Sequence, residues 1–126
     1  MTYALKTFLV EDSPVIRDSL VAALEEMAPV EVVGVAEDER SAVAWLEGSQ
    51  PPCDLMIVDI FLKGGSGLGV LRAASLLNGP MKVVVLSNYA TDDMRRKCTE
   101  LGAQRVFDKS SEIDALIDYC ERLATA

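Results

Sequence analysis

The chain has 126 residues, half of them hydrophobic and a quarter charged, with a formal net charge of −8 at pH 7. This length suits one domain, the hydrophobic content excludes a disordered chain, and the negative charge argues against a direct nucleic-acid partner. The sequence contains no histidine, and its cysteines (Cys53, Cys98 and Cys120) are irregularly spaced, so the common zinc sites are missing. Residues 1–10 lack the pattern of a secretory signal, and no stretch approaches the roughly 20 apolar residues of a membrane span. We therefore expect one soluble, reduced, cytoplasmic domain over residues 1–126, without a membrane partner.

Short apolar runs alternate with helical patterns along the chain. After the first run, Asp12 or Ser13 is suited to cap a helix that has Pro14 in its first turn. Trp45 is expected to pack the second helix on the sheet. The predicted strands cover residues 5–10, 30–36, 54–60, 81–87 and 105–108. The predicted helices cover about 14–27 and 39–47, a segment from the glycine-rich loop through 77, a segment opening at 91–93, and about 111–123.

This alternation predicts a (βα)₅ domain of the α/β class. Each pair of strands is joined by a connection long enough for the crossover that parallel strands require. We expect a doubly wound, five-stranded parallel sheet with strand order 2-1-3-4-5. In such sheets, ligands bind in the crevice beyond the carboxyl ends of the strands.

Acidic, hydroxyl and cationic residues stand at that edge. The first predicted strand is followed by Glu11 and Asp12, the third ends in Asp59, the fourth ends in Ser87, and the fifth is followed by Lys109. Three carboxylates that are brought together repel one another unless a cation neutralises them, and oxygen ligands suit Mg²⁺. Taken alone, the acidic pair fits a helix start equally well, and the lysine fits a structural partner of the strand-end aspartate.

Together these residues fit transfer of a phosphoryl group to a carboxylate. Asp59 is the candidate nucleophile because it ends the most buried strand, near the centre of the sheet. Mg²⁺ and Lys109 would offset the charge on the phosphoryl oxygens during an in-line attack. Ser87 offers a hydroxyl donor, and no basic residue stands beside it to make it a nucleophile.

Four segments resemble the signature of the two-component response-regulator receiver domain, and they occur in the family's order over nearly the whole chain. They are Val10-Glu11-Asp12-Ser13, Val58-Asp59 with Gly67 eight residues on, Leu86-Ser87-Asn88, and Phe107-Asp108-Lys109. The resemblance implies a flavodoxin-like fold and a phosphorelay signalling switch. It does not imply an enzyme that turns over a separate substrate.

The resemblance also implies a role for each residue. Asp59 would accept the phosphoryl group and so become an aspartyl phosphate. Glu11 and Asp12 would hold Mg²⁺ together with Asp59 and the backbone carbonyl of Phe61. Lys109 would contact the phosphoryl group throughout.

Further implications concern the events around transfer. Ser87 would bond the phosphoryl group after transfer, and the amide of Asn88 is a further candidate contact. The donor would be a phosphohistidine of a sensor histidine kinase or of a phosphotransfer protein. Output to an unidentified downstream protein would use the fourth helix, fifth strand and fifth helix, by analogy with the family. Residues expected on that surface are Asp92, Arg95, Arg96 and Arg105. Since the chain ends within a few residues of the last helix, we expect a stand-alone switch.

The sequence departs from the family pattern near the lysine and around the acceptor. An aromatic residue usually stands three residues before the lysine, where this chain has Val106. A proline in a cis bond usually follows the lysine, where this chain has Ser110, and we expect a trans bond there because a cis bond to another residue costs roughly 3 kcal/mol. Ser110 or its neighbour is then available to cap the last helix. Phe61 and Tyr89 are expected to shield the acyl phosphate from water and to prolong its life.

The sequence also bears on four other functions. The departures at Val106 and Ser110 leave open a pseudo-receiver that binds a partner without being phosphorylated. A phosphatase with an aspartyl-phosphate intermediate would place its nucleophile on the first strand and a second Asp two residues on, whereas Phe61 follows Asp59 at that spacing. A flavin site is disfavoured because two carboxylates in the first loop repel a phosphate. A dinucleotide site is disfavoured because the glycine-rich loop around Gly67 lacks the required spacing.

Overall fold

The computed structural model describes residues 4–48, 52–77 and 79–125. In this part of the chain, five parallel strands form one sheet with the order β2-β1-β3-β4-β5, as predicted. The strands are β1 (Leu5–Val10), β2 (Val30–Ala36), β3 (Leu55–Val58), β4 (Lys82–Ser87) and β5 (Arg105–Asp108). The helices are α1 (Pro14–Met27), α2 (Glu39–Glu47), α3 (Gly67–Ser75), α4 (Asp92–Glu100) and α5 (Ile113–Thr125). No helix in the described residues is long and apolar enough to cross a membrane.

The sheet separates the hydrophobic core into two clusters of buried residues. Between the sheet and helices α1 and α5 lies the first cluster, which includes Leu24, Phe107 and Leu116. Between the sheet and helices α2, α3 and α4 lies the second cluster, which includes Val70 and Cys98. Strand β3 is buried at all four positions, because both of its faces are covered by helices.

Helix α2 is held on the sheet by the tryptophan, as predicted. The ring of Trp45 stacks on the ring of Phe8 from β1, with their centroids 4.0 Å apart. This contact closes the second cluster near the sheet edge that β2 forms. Aromatic contacts of this kind contribute beyond the area that they bury.

Four helices begin with a capping side chain at the same edge of the sheet. The hydroxyl of Ser13 accepts from the backbone N–H of Ile16, and Pro14 occupies the first helical position, so the serine is the cap of α1. Thr91 caps α4 in the same way, which confirms the predicted helix start. The caps of α2 and α3 are Asp38 and Ser66. These caps fix the βα loops that carry the polar residues.

Four predicted elements differ from the structure at their ends. Strand β4 begins at Lys82, one residue later than predicted, and helix α3 ends at Ser75, two residues earlier than predicted. Strand β3 begins at Leu55, one residue later than predicted, and stops at Val58. Asp59 still donates its N–H to Val10, but the chain then turns, because the Asp59 carboxylate accepts the N–H of Phe61 and Gly67 donates to the carbonyl of Ile60.

Helix α5 begins at Ile113, two residues later than predicted. There the carboxylate of Asp108 accepts the N–H groups of residues 110 and 111 and forms a turn, so the residue directly before the helix is a glutamate. The proposed serine cap of α5 is therefore not formed.

Candidate phosphoacceptor site

Four of the five polar side chains predicted from the strand ends line one depression at the carboxyl edge of the sheet, and Ser87 does not line it. Glu11 is 2% exposed, Asp59 is 7% exposed and Ser87 is fully buried. The depression has a volume of about 180 Å³. Its lining residues come from four βα loops and are Glu11, Asp12, Ser13, Ile16, Asp59, Phe61, Asn88, Tyr89 and Lys109.

Lys109 joins the loop after β5 to the acidic residues. Its Nζ lies 2.6 Å from Oε1 of Glu11 and 3.0 Å from Oδ2 of Asp59. Its backbone N–H donates to the carbonyl of Ser87 at 2.9 Å, which fixes the start of the loop. Burial by itself lowers the pKa of Lys109, but the hydrogen bond to Glu11 and the charge of Asp59 outweigh it and raise the pKa above its usual value. The ammonium is thus held in its charged form beside the candidate acceptor.

The carboxylates are close enough to share a cation. One oxygen from each of Glu11, Asp12 and Asp59 lies within 4.8 Å of the other two. With Lys109 beside them, three negative formal charges and one positive charge leave two negative charges. An all-oxygen cluster with this net charge fits a divalent ion such as Mg²⁺. The three predicted ligand side chains are therefore brought together, and Phe61 lines the same depression.

The backbone around Asp59 is packed tightly against the start of α3. Oδ1 of Asp59 accepts from the N–H of Phe61 at 3.3 Å, which turns the chain away from the sheet. A Cβ atom on Gly67 would overlap the carbonyl oxygen of Asp59 and the Cα of Ile60. Only glycine fits at this first position of α3 without displacing the strand end that carries the acceptor.

Two carboxylates hold the glycine-rich loop between Asp59 and α3. Oδ2 of Asp12 accepts from the N–H of Lys63 at 2.9 Å. Glu39, the first residue of α2, accepts from the N–H of Ser66 at 2.8 Å and donates its own N–H to the carbonyl of Gly64. The role of Glu39 was not predicted, because 27 residues separate it from Ser66 and no local pattern links them.

The mouth of the site is formed by two aromatic rings. Phe61 and Tyr89 meet edge to face with centroids 5.0 Å apart, and both remain more than half exposed. Below them, the hydroxyl oxygen of Ser87 accepts from the N–H of Tyr89 at 3.2 Å. In this structure the serine is thus engaged with its own loop.

Comparison with known proteins assigns the family. The sequence profile described as "Response regulator receiver domain" matches residues 7–121. The chain belongs to the response-regulator receiver domain family. It is 25% identical over 114 residues to the transcriptional regulatory protein LiaR of Bacillus subtilis, and the match covers 90% of this chain and 53% of LiaR. It is 28% identical over 126 residues to protein-glutamate methylesterase/protein-glutamine glutaminase 5 of Myxococcus xanthus, covering 90% of this chain and 36% of that protein.

Solved receiver domains share the fold. The crystal structure of the response regulator domain of CheB from Thermotoga maritima superimposes with a TM-score of 0.81 at 18% identity, covering 98% of each chain. The flavodoxin-like fold implied by the sequence is therefore confirmed. This chain spans about a third to a half of the length of curated relatives that carry different activities, so the output of the whole protein does not follow from the match.

Around the lysine, this receiver domain has its own arrangement. Phe107 is fully buried in the cluster under α1 and α5, and its ring meets Tyr119 with centroids 5.8 Å apart. Val106 faces the opposite cluster, toward α4. Phe107 therefore does not replace the aromatic residue that the family usually has at position 106. The bond between Lys109 and Ser110 is trans, as expected.

Proposed function

We propose that this receiver domain is a phosphoacceptor switch in which Asp59 accepts a phosphoryl group from a phosphohistidine. The observation that carries the proposal is the position of Lys109, whose Nζ bridges Asp59 and Glu11 beside an oxygen cluster of negative net charge. A structural ion pair would need one carboxylate. A second and a third carboxylate at this point are explained by a divalent metal ion.

In the proposed reaction, one carboxylate oxygen of Asp59 attacks the phosphorus atom in line. The bond between phosphorus and the histidine nitrogen breaks, the nitrogen keeps the electron pair, and an acyl phosphate forms on Asp59. The ammonium of Lys109 donates to an equatorial phosphoryl oxygen, which it can do because it is held charged in the unphosphorylated site. No separate substrate is turned over.

Mg²⁺ is the proposed cofactor. Glu11, Asp12 and Asp59 would hold it together with the backbone carbonyl of Phe61. When bound, the ion supplies positive charge next to the phosphoryl oxygens. After transfer, the hydroxyl of Ser87 donates to a phosphoryl oxygen, and this movement either carries the loop of Tyr89 with it or breaks the present bond between them. This rearrangement is the proposed signal to a downstream protein partner in the cytoplasm.

The test is incubation with acetyl phosphate and Mg²⁺, followed by intact-mass spectrometry. We expect one phosphoryl adduct in the wild type and none in Asp59→Asn or in a wild-type sample with chelator. Transfer of radiolabelled phosphate from an autophosphorylated histidine kinase, again compared with Asp59→Asn, tests the donor class. If neither donor labels the folded protein and Mg²⁺ does not bind, the pseudo-receiver function replaces this one.

A further inference from the structure

The side chain of Arg95 on α4 makes three hydrogen bonds to three different segments. Nε donates to the carbonyl of Ala90 at 3.0 Å, in the loop after β4. Nη1 donates to the carbonyl of Val106 at 2.7 Å, on the edge strand β5. Nη2 donates to Oε1 of Glu112 at 2.7 Å, just before α5. The side chain is 38% exposed, and three of its five N–H groups are bonded within its own domain.

Glu112 extends this network to the lysine loop. The oxygen that accepts from Arg95 also accepts from the backbone N–H of Asp108 at 2.8 Å. The next residue is Lys109, whose N–H donates to the carbonyl of Ser87. The hydrogen bond from Arg95, followed by the one from the N–H of Asp108, lowers the pKa of Glu112, so the glutamate stays charged at neutral pH.

We propose that Arg95 and Glu112 are positioning residues that hold the loops of Ser87 and Lys109 in the unphosphorylated arrangement, and thereby set how strongly the domain responds to a phosphoryl group. The proposal rests on the proposed phosphoacceptor function. Neither residue touches the phosphoryl group. Both act through the two residues that do.

The direction of the effect follows from the hydrogen bonds. The hydroxyl oxygen of Ser87 accepts from the N–H of Tyr89, so a movement of Ser87 toward a phosphoryl group on Asp59 would either carry the loop of Tyr89 and Ala90 with it or break this bond. The loop that follows it is anchored at Ala90 by a charged donor, and charge-assisted hydrogen bonds are stronger than neutral ones. Arg95 therefore opposes the movement. Because two equilibria that share a conformational change are linked, loosening the anchor tightens the binding of the phosphoryl group.

The experiment uses beryllofluoride, which mimics a phosphoryl group on a carboxylate and is not hydrolysed like one. With Mg²⁺ in excess, its affinity is measured by following the backbone amide resonances of the domain during a titration. Arg95→Met removes the three hydrogen bonds and keeps a long apolar stem. We expect it to bind beryllofluoride roughly five- to tenfold more tightly than the wild type.

A matched control lies one residue along the same helix. Arg96 forms an exposed ion pair with Asp93 at 3.2 Å, so Arg96→Met removes the same charge and one ion pair without touching either loop. We expect its affinity for beryllofluoride to stay within about twofold of the wild type, since exposed pairs contribute little. Glu112→Gln is expected to act in the same direction as Arg95→Met. The double variant should bind no more tightly than the stronger single variant, because the two residues form one network.

The outcomes separate this proposal from the one on which it rests. If the wild type binds beryllofluoride and Arg95→Met binds it equally or more weakly with its amide spectrum still folded, the positioning role is wrong and the phosphoacceptor function stands. If Arg95→Met does not fold, Glu112→Gln decides on the same criterion. If the wild type itself binds no beryllofluoride in the presence of Mg²⁺, both proposals are wrong.

Discussion

Phe61 and Tyr89 line the depression that contains Asp59, and we expect them to hinder the approach of water to a phosphoryl group there. Their rings touch each other across the mouth of the site, and Phe61 is 51% and Tyr89 63% exposed. Hydrolysis of an acyl phosphate needs a water molecule aligned with the bond that breaks. Apolar rings at this position displace water and offer it few hydrogen-bond partners.

We therefore expect removal of either ring to shorten the life of the phosphorylated state. In Phe61→Ala and Tyr89→Ala, the half-life of the adduct should fall by about tenfold, which corresponds to ~1.4 kcal/mol of activation free energy. The adduct is followed by intact-mass spectrometry after acetyl phosphate is removed. Leu76→Ala, at a side chain that is 83% exposed at the end of α3, is the control. An unchanged half-life in both aromatic variants, or a half-life of seconds in the wild type, would contradict the shielding role.

The individual site residues were largely predictable from the sequence, and the network around them was not. Asp59 and Lys109 were placed at strand ends, and parallel strands bring their carboxyl ends to one edge, so proximity followed from topology. Glu39 and Glu112 were missed because their partners lie 27 and 17 residues away on other elements. Contacts of that kind depend on how the helices pack on the sheet, and no local sequence pattern indicates that packing.

Among the elements, α3 depends most directly on the acceptor strand. Its first residue, Gly67, lies against the carbonyl of Asp59 with no room for a side chain. A methyl group at Gly67 would clash with the backbone of Asp59 and Ile60, and that backbone cannot move without disturbing the end of β3.

Gly67→Ala is accordingly expected to lower the free energy of unfolding by about 1–3 kcal/mol, the usual range for overpacking. Urea denaturation followed by circular dichroism measures this loss. Gly79→Ala is the matched control, because a Cβ atom at Gly79 would meet no atom within 4 Å. We expect the control to stay within about 0.5 kcal/mol of the wild type. Equal stability of the two variants would contradict this expectation, because it would mean that the backbone at the end of β3 shifts at little cost in free energy.

Element boundaries were predictable where the hydrogen-bond pattern is local. Strand β5 was placed at its observed bounds, and the cap of α4 at Thr91 was read from the residues beside it. The start of α5 was placed two residues early because Asp108 captures the following N–H groups in a turn. A serine pair before an apolar helix pattern looks the same in the sequence whether it caps the helix or closes such a turn.

At the scale of the whole molecule, loop carboxylates make stability depend on pH. The side-chain hydrogen bond from Ser110, followed by the backbone N–H groups of residues 110 and 111, holds the pKa of Asp108 below its usual value. Arg95 does the same for Glu112, and Ser41 does so for Asp38. A carboxyl group whose pKa is lowered on folding contributes stability that is present above its unfolded pKa, about 4. That contribution is lost as the pH falls through the folded value.

Asp108→Asn isolates one of these contributions. We expect the wild type to be more stable than the variant at pH 6, and we expect the difference to shrink as the pH falls from about 4 through the lowered pKa of folded Asp108, below which both side chains are uncharged. Urea denaturation at pH 6 and pH 3, followed by the fluorescence of Trp45, gives the two differences. If the difference in stability is the same at both pH values, the charge of Asp108 does not stabilise the turn.

The separation of the core into two clusters by the sheet affects how the sequence of this domain can change during evolution. Val106 and Phe107 are neighbours in the chain, yet their side chains belong to opposite clusters. A change of volume at Val106 is therefore absorbed among residues beneath α2, α3 and α4, while the packing of α1 and α5 around Phe107 is left as it is. Substitutions can therefore accumulate in one cluster while the packing of the other cluster is kept. Related domains of this fold can then differ on one side of the sheet without a change in the rest of the fold.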